Sequence, residues 1–291
     1  MRFATFTQGQ ERFLGVVSAD GQTIQKLNLP AEAAQKGVLS LIDMAAKGND
    51  INQYLDGSSV AVSAVRLEAP IPVPRRNIFC VGRNYHAHAK ELSGSVFKAN
   101  NADPAVWPIV FTKVPECVVG PADTVNLPGA AVSSQIDYEA ELAVVIGTGG
   151  KNISKENAMS HIYGYTIIND VTARDVQIRH QQWDLGKSFD TFCPMGPWVV
   201  TADELDGTNT RVRCWVNGEL RQDGQTQDFI FDIPTLIETC SRGITLHPGD
   251  IIATGTPAGV GMGLTPPQYL KGNDVVRIEI DGIGVLENHF K

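Results

Sequence analysis

The stretch Gln135-Ile-Asp-Tyr-Glu-Ala-Glu-Leu-Ala-Val-Val-Ile146 decides how this chain folds. Apolar and acidic residues alternate along its first half, and its second half is rich in β-branched residues, so it is predicted to form a strand. Side chains alternate between the two faces of a strand, which places Asp137, Glu139 and Glu141 together on one face. The sequence therefore predicts a strand that presents three neighbouring carboxylates.

These three carboxylates are candidate metal ligands. Residues two apart in a strand lie about 6.6 Å from each other, so their negative charges repel unless a cation intervenes. Hard cations such as Mg²⁺ and Ca²⁺ prefer carboxylate oxygens. A solvated acidic strand edge is the alternative, but the direct continuation into Val144-Val-Ile146 favours a buried site.

A further carboxylate follows a second apolar run, Tyr165-Thr-Ile-Ile-Asn-Asp170. Asp170 stands at the end of this predicted strand, just before Val171-Thr-Ala-Arg-Asp175. It could supply another metal ligand, or it could cap the N-terminus of a following helix. The residues alone leave both roles open.

Upstream, His88 and Glu91 fall in a predicted short helix, three positions apart. This spacing places both side chains on one helical face, within reach of a hydrogen bond. A histidine oriented by a carboxylate is a common arrangement for a general base, although a surface pair with no function has the same spacing.

Composition and charge narrow the classes of function. The formal net charge of -8 and the lack of a basic cluster longer than Arg75-Arg76 argue against nucleic-acid binding. We expect a cytoplasmic protein that contacts no membrane, because residues 1–9 have no apolar core and no stretch approaches about 20 apolar residues. The five cysteines are widely spaced and are predicted to be reduced and buried.

Two units are predicted along the chain. Residues 1–70 read as a small α/β domain, and the run Pro70-Ile-Pro-Val-Pro74 marks a connector, because closely spaced prolines cannot continue a helix. Beyond it, residues 71–291 are dominated by short strands, which indicates an antiparallel or mixed β architecture. The elements predicted most clearly are strands at 2–7, 13–18 and 23–26 and helices at 38–46, 51–54 and 233–242, the last capped by Asp232 and followed by Gly243.

Seven ordered blocks extend from residue 81 towards the C-terminus: Val81-Gly-Arg-Asn-Tyr85, His88 with Glu91, Phe111-Thr-Lys113, Asp137-Tyr-Glu-Ala-Glu-Leu142, Asn169-Asp-Val-Thr-Ala-Arg-Asp175, Lys187-Ser-Phe-Asp190 and Thr254-Gly-Thr-Pro-Ala-Gly-Val-Gly261. Together they resemble the fumarylacetoacetate hydrolase superfamily. The resemblance implies an α+β, mainly β fold, in which a mixed β-roll catalytic domain follows the small N-terminal domain. It also implies a homodimer.

The resemblance also implies a set of site residues. It assigns Mg²⁺, or alternatively Mn²⁺ or Ca²⁺, to Glu139, Glu141 and Asp170. It makes His88, Glu91 and Lys187 catalytic residues, and it makes Arg83, Tyr85, Gln177, Gly255 and Thr256 contacts of a small keto-acid substrate.

The reaction that the resemblance implies is hydrolysis of a carbon–carbon bond in a 1,3-diketo acid such as an acylpyruvate, through a metal-stabilised enolate. The alternative is a decarboxylase, hydratase or isomerase of a related 2-keto acid such as oxaloacetate, because the same enolate chemistry serves each of them.

The chain departs from the shortest family members in a longer segment at 93–107, with Phe97 and Trp107. This segment could reach over a larger acyl group or pack at a dimer contact.

Overall fold

The structure, a computed structural model, describes residues 1–92, 107–179 and 182–291. Its helices are α1 (Ala31–Lys36), α2 (Val38–Ala46), α3 (His86–Leu92), α4 (Arg174–Arg179), α5 (Asp184–Lys187) and α6 (Ile233–Ser241). Its strands are β1 (Arg2–Gln8), β2 (Glu11–Val17), β3 (Thr23–Leu27), β4 (Leu55–Ala61), β5 (Arg66–Leu67), β6 (Ile78–Gly82), β7 (Ile109–Lys113), β8 (Val118–Val119), β9 (Thr124–Val125), β10 (Ile136–Asp137), β11 (Ala140–Ile146), β12 (Ile162–Asn169), β13 (Thr172–Ala173), β14 (Cys193–Thr201), β15 (Arg211–Val216), β16 (Glu219–Gln225), β17 (Ile251–Ala253), β18 (Val275–Ile280) and β19 (Gly284–Phe290).

The largest sheet has the order β4-β3-β2-β1-β14-β12-β11-β17-β6-β7, with β5 and β8 attached at its side. Most neighbours are antiparallel, whereas β17 and β6 are parallel, so the sheet is mixed. A second sheet has the order β16-β15-β18-β19-β9, and β10 and β13 form a separate two-stranded sheet. Buried side chains of the two larger sheets form one hydrophobic core. The predicted mainly β fold is confirmed.

The N-terminal strands β1, β2 and β3 form an antiparallel meander, as the sequence predicts. The predicted helix at 38–46 is α2, but the predicted helix at 51–54 is a single 3-10 turn. Sequence reasoning missed α1 and β4. The strand β4 is polar and mostly exposed, so it lacks the alternation that signals a strand.

The N-terminal meander is continuous with the rest of the largest sheet. Strand β1 pairs antiparallel with β14, with Arg2 opposite Val200 and Phe3 opposite Val199. The boundary proposed at residue 70 therefore does not interrupt this sheet, and the division into domains 1–70 and 71–291 stays a prediction.

The stretch from 135 to 146 departs from its prediction at one point. It forms two strands, β10 and β11, with Tyr138 and Glu139 between them, so the expectation of one continuous strand is wrong. The chain changes partners here, because β10 pairs with β13 and β11 pairs with β12. The two residues between the strands lie where the pairing changes, and one of them is a candidate metal ligand.

Helix α6 confirms its sequence prediction in detail. The Asp232 carboxylate accepts a hydrogen bond from the backbone N–H of Thr235 at 2.9 Å, and Gly243 has the positive φ of a residue that follows a helix end.

All five cysteines are free and buried, also as predicted. Among the residues that the structure describes, no helix has the length and apolar character needed to cross a membrane.

Candidate active site

Three buried carboxylates that the sequence singles out lie together. Glu139 precedes β11, Glu141 lies within it, and Asp170 follows the neighbouring strand β12. One carboxylate oxygen of each lies within 4.8 Å of the others. Helix α4 begins only at Arg174, so the alternative role of Asp170 as its N-cap is wrong. The cluster has the donor set of a site for a divalent cation.

Three buried cations surround these carboxylates. The ammonium of Lys187 lies 2.8 Å from Glu139 Oε2 and 2.6 Å from Asp170 Oδ2. The ammonium of Lys113 lies 2.8 Å from Asp170 Oδ1, and the guanidinium of Arg174 lies 2.7 Å from Glu139 Oε1. The oxygens of Glu139 and Asp170 thus have defined directions, which preorganises this part of the cluster.

Glu141 is the least compensated carboxylate of the cluster. Its Oε2 accepts a hydrogen bond from the backbone N–H of Gly255 at 2.8 Å, and no cation of the described residues pairs with it. Burial, together with the negative charges of Asp170 and Glu139, raises the pKa of Glu141. A divalent cation bound here would relieve this repulsion, so the residues fit such an ion.

Glu139 has the opposite environment. Burial by itself would raise its pKa, but the charges of Lys187 and Arg174 outweigh this effect and bring the pKa of Glu139 to about 2. Neighbouring carboxylates on one segment therefore differ in charge compensation. Because, within the part of the chain that the structure describes, only Glu141 lacks this compensation, a bound cation would be stabilised most by the carboxylate of Glu141.

The predicted pair His88 and Glu91 lies on α3, with His88 Nδ1 3.1 Å from Glu91 Oε2. The other carboxylate oxygen, Glu91 Oε1, accepts a hydrogen bond from the backbone N–H of Gly259 at 3.0 Å. In the neutral imidazole, a carboxylate that accepts at Nδ1 requires the proton on Nδ1 and leaves a lone pair on Nε2. His88 is therefore set up to accept a proton at Nε2.

A pocket with an empty volume of about 310 Å³ joins these groups. Its apolar wall includes Phe111 and Trp183, whose ring centroids lie 5.1 Å apart. The pocket is lined by Val81, Gly82, Arg83, His88, Phe111, Glu139, Glu141, Arg174, Gln177, Trp183, Lys187 and Thr256.

The structure brings most of the predicted substrate contacts to this pocket, but not all of them. Arg83, Gln177 and Thr256 line it. Gly255 has φ +102°, and its amide is donated to Glu141 rather than to the pocket. Tyr85 is buried against Phe229, with ring centroids 4.8 Å apart, and within the described ranges its hydroxyl has no hydrogen-bond partner.

Lys187 reaches the cluster because α5 packs closely on α4. A Cβ atom on Gly186 would lie 2.6 Å from the backbone nitrogen of Gln177, a distance that real Cβ atoms do not adopt. Glycine at this position therefore permits the approach that directs Lys187 towards Glu139 and Asp170.

Sequence reasoning missed Lys113 and Arg174 as parts of the site. Lys113 ends an otherwise apolar strand, and its ammonium also donates to the backbone carbonyls of Val171 and Lys187. Strand alternation predicts that position 113 is buried, and a buried lysine usually has a charged partner, so Lys113 could have been identified from the sequence as a candidate site residue. Arg174 was part of a recognised block, yet its distance in sequence from Glu139 concealed their ion pair.

The longer segment is only partly described. Phe97 lies outside the described residues. Trp107 is 52% exposed, and the guanidinium carbon of Arg242 lies 5.2 Å from its ring centroid. In the described part of the chain, Trp107 thus contacts the end of α6 and does not line the pocket.

Comparison with known proteins agrees with this architecture. The family model described as fumarylacetoacetate (FAA) hydrolase C-terminal matches residues 77–291. Oxaloacetate tautomerase YisK of Bacillus subtilis is 45% identical over 307 aligned positions that cover 100% of both chains. The structure of fumarylacetoacetate hydrolase (EaFAH) from psychrophilic Exiguobacterium antarcticum is 41% identical, with a TM-score of 0.86 over 100% of this chain and 99% of that one. The structure of 5-carboxymethyl-2-hydroxymuconate delta-isomerase from Mycobacterium smegmatis is 33% identical, with a TM-score of 0.78 over the same shares of the two chains. The chain therefore belongs to the fumarylacetoacetate hydrolase family.

Proposed function

We propose that this protein is an isomerase of a small 2-keto acid, and that its reaction is the keto–enol tautomerisation of oxaloacetate with a bound divalent cation. Mg²⁺ is the proposed ion, and Mn²⁺ and Ca²⁺ are the alternatives. The observation that carries the proposal is the pocket in which His88 and Lys187 face the carboxylate cluster. Similarity along its whole length to an oxaloacetate tautomerase supports the choice of substrate.

The residues around the pocket suit a reaction that moves one proton. When bound at Glu139, Glu141 and Asp170, a divalent cation supplies positive charge that stabilises an enolate. His88 takes the proton from the carbon beside the keto group at Nε2, while Glu91 holds the resulting imidazolium. The same proton, or one from solvent, is then placed on the enolate oxygen, and no carbon–carbon bond breaks.

Cationic and amide side chains would hold the substrate for this transfer. Lys187 and Arg174 both line the pocket and are fully buried, so their charges act in a poorly screened environment. Gln177, whose Oε1 accepts a hydrogen bond from Arg174 at 3.2 Å, has amide hydrogens left to donate to a substrate oxygen. These donors favour the charge that develops on the keto oxygen.

Hydrolysis of a carbon–carbon bond, the reaction that the sequence resemblance first suggests, is the second candidate. It requires His88 to activate a water molecule that attacks a second carbonyl of the substrate. Similarity to a structure named as a fumarylacetoacetate hydrolase favours it, whereas the full-length similarity to a tautomerase favours isomerisation. The isomerase alternative is the better supported of the two.

A substrate panel separates the candidates. Purified protein with Mg²⁺ is given the enol form of oxaloacetate, and loss of enol absorbance is followed alongside release of pyruvate. Acylpyruvates and fumarylpyruvate are tested for hydrolysis in parallel. We expect accelerated tautomerisation that requires Mg²⁺ and falls about 10²-fold or more in His88→Gln. Faster hydrolysis or decarboxylation than tautomerisation would refute the proposal.

A further inference from the structure

Gln222 is a fully buried polar residue that joins the two sheets next to the pocket. It lies on β16 of the second sheet, with 0% of its surface exposed. Its side chain contacts the loop after β17 and the backbone of Ala140, the residue between Glu139 and Glu141. No step of the proposed reaction uses this residue directly, yet it connects two parts of the site.

The orientation of the Gln222 amide is fixed by groups that have only one hydrogen-bonding role. Its Oε1 accepts from the backbone N–H of Ala140 at 3.0 Å, and that N–H can only donate. Its Nε2 donates to the carbonyl of Pro257 at 2.7 Å, and that carbonyl can only accept. A flipped amide would place donor against donor and acceptor against acceptor. The remaining hydrogen of Nε2 is therefore directed at Thr256 Oγ1, at 2.7 Å.

This fixed amide determines how Thr256 can act. The hydroxyl accepts from Gln222, so its own hydrogen must be donated to another group. Within the described ranges, Gln222 is the hydrogen-bond partner of this hydroxyl, and Thr256 lines the pocket while only 2% of it is exposed. The hydroxyl hydrogen is thus available to a ligand that brings an acceptor.

We infer that Gln222 is a positioning residue that makes the Thr256 hydroxyl a hydrogen-bond donor to a carboxylate of the bound keto acid. The inference rests on the proposed function, because it assumes a carboxylate ligand. A carboxylate accepts hydrogen bonds and cannot donate them, so it matches a hydroxyl whose acceptor role is already filled. The same amide holds Ala140, so the substrate loop and the carboxylate strand keep a constant spacing.

The variant Gln222→Glu tests this inference. The introduced carboxylate has no N–H to donate, so the Thr256 hydroxyl turns towards it and is lost to the ligand. In the presence of Mg²⁺, we expect the Kd of the unreactive dicarboxylate oxalate to rise about tenfold to 100-fold, as for loss of a hydrogen bond to a charged group. The KM for oxaloacetate should rise similarly while kcat changes by less than about twofold, because the lost contact binds ground and transition states alike.

A double-mutant cycle shows whether the effect acts through Thr256. In the Thr256→Val background, Gln222→Glu should weaken oxalate binding no further, because the hydroxyl is already absent. A matched control is Asn288→Asp, the same exchange of a buried amide for a carboxylate at a residue that bonds Gly120 and Asp123. This control should leave the oxalate Kd unchanged. If Gln222→Glu fails to fold, Gln222→Met removes the same donor without adding charge.

The outcomes separate this inference from the proposed function. Unchanged oxalate binding in a folded Gln222 variant, or an equal loss in the Thr256→Val background, overturns the inference. If the wild-type protein binds oxalate but does not tautomerise oxaloacetate, the proposed function fails, and the oxalate cycle still decides the role of Gln222. A wild-type protein that binds no oxalate contradicts both.

Discussion

Single residues of the site differ in how far the sequence could identify them. Alternation along one strand, the end of a second strand and the spacing of His88 with Glu91 indicated candidate residues, and the family blocks then assigned a role to each of them. The partners that orient them come from distant positions, such as Lys113 and Arg174. A pair that meets only through the fold leaves no spacing signal in one sequence, so these contacts could not have been derived without the structure.

At this scale, Glu141→Gln should remove most of the affinity for Mg²⁺. Among the residues that the structure describes, none supplies a cation that pairs with Glu141, so its charge is the one that a bound ion compensates. Titration calorimetry with Mg²⁺ measures the loss. The comparison variant is Asp137→Asn, because Asp137 accepts from Arg174 Nε at 2.9 Å and from the N–H groups of Gly261 and Met262 at 2.7 and 2.9 Å. We expect it to weaken Mg²⁺ binding less and to lower thermal stability more. Equal loss of binding in both variants would contradict the assignment.

Lys113→Met should destabilise the metal-free protein by up to about 3–5 kcal/mol, because Asp170 loses one of its two buried cations and keeps only Lys187. Both Lys113 and Asp170 are fully buried, and the Asp170 carboxylate outweighs burial and raises the pKa of Lys113. Denaturant unfolding after metal removal gives the free energy. Lys26→Met is the matched control, since its ammonium lies at the surface. An equally small effect of both substitutions would show that the pair contributes little.

Elements were predictable where local signals were strong. Short strand-like runs identified β1, β2 and β3, and a capping residue followed by an apolar face identified α6. The break between β10 and β11 was not predictable, because it arises from a change of pairing partner and not from the residues at the break. The mostly exposed strand β4 was missed for a related reason, since its state depends on pairing with β3.

Helix α6 supplies a prediction about its own start. Asp232→Ala should lower the free energy of unfolding by about 1 kcal/mol, because the carboxylate no longer accepts from Thr235. The ion pair of Asp232 with Lys155 lies at the surface and adds little. Thermal unfolding measures the change. Glu238→Ala on the same helix, which removes an exposed pair with Arg242, should cost less than half as much. A larger cost for Glu238→Ala would contradict this assignment of the cap.

For the whole molecule, the continuity of the largest sheet leads us to expect that residues 1–70 unfold together with the rest. Phe6 on β1 is fully buried in the shared core, so Phe6→Ala should cost about 3–5 kcal/mol. Calorimetry should show one transition that moves to lower temperature. Two transitions, of which only one moves, would instead support independent unfolding of the N-terminal domain.

The sequence resemblance also predicts that the whole molecule is a homodimer. Light scattering coupled to size exclusion should give a mass of twice 31.4 kDa if the protein forms this dimer in solution. A mass of 31.4 kDa across the concentration range would contradict it.

Because β11 lies between β12 and β17, it can pair with both neighbours only late in synthesis of the chain. Strand β12 ends at Asn169, whereas β17 begins at Ile251, so 82 positions of chain separate the last residue of one neighbour from the first of the other. Until the second neighbour emerges, one edge of β11 stays open to water and Glu141 stays hydrated. Long-range pairing of this kind slows folding and prolongs the exposure of unpaired strand edges. We therefore expect the newly made chain to pass through a period in which β11 is vulnerable to wrong pairing, and the charge of Glu141 on that strand helps to keep other chains away.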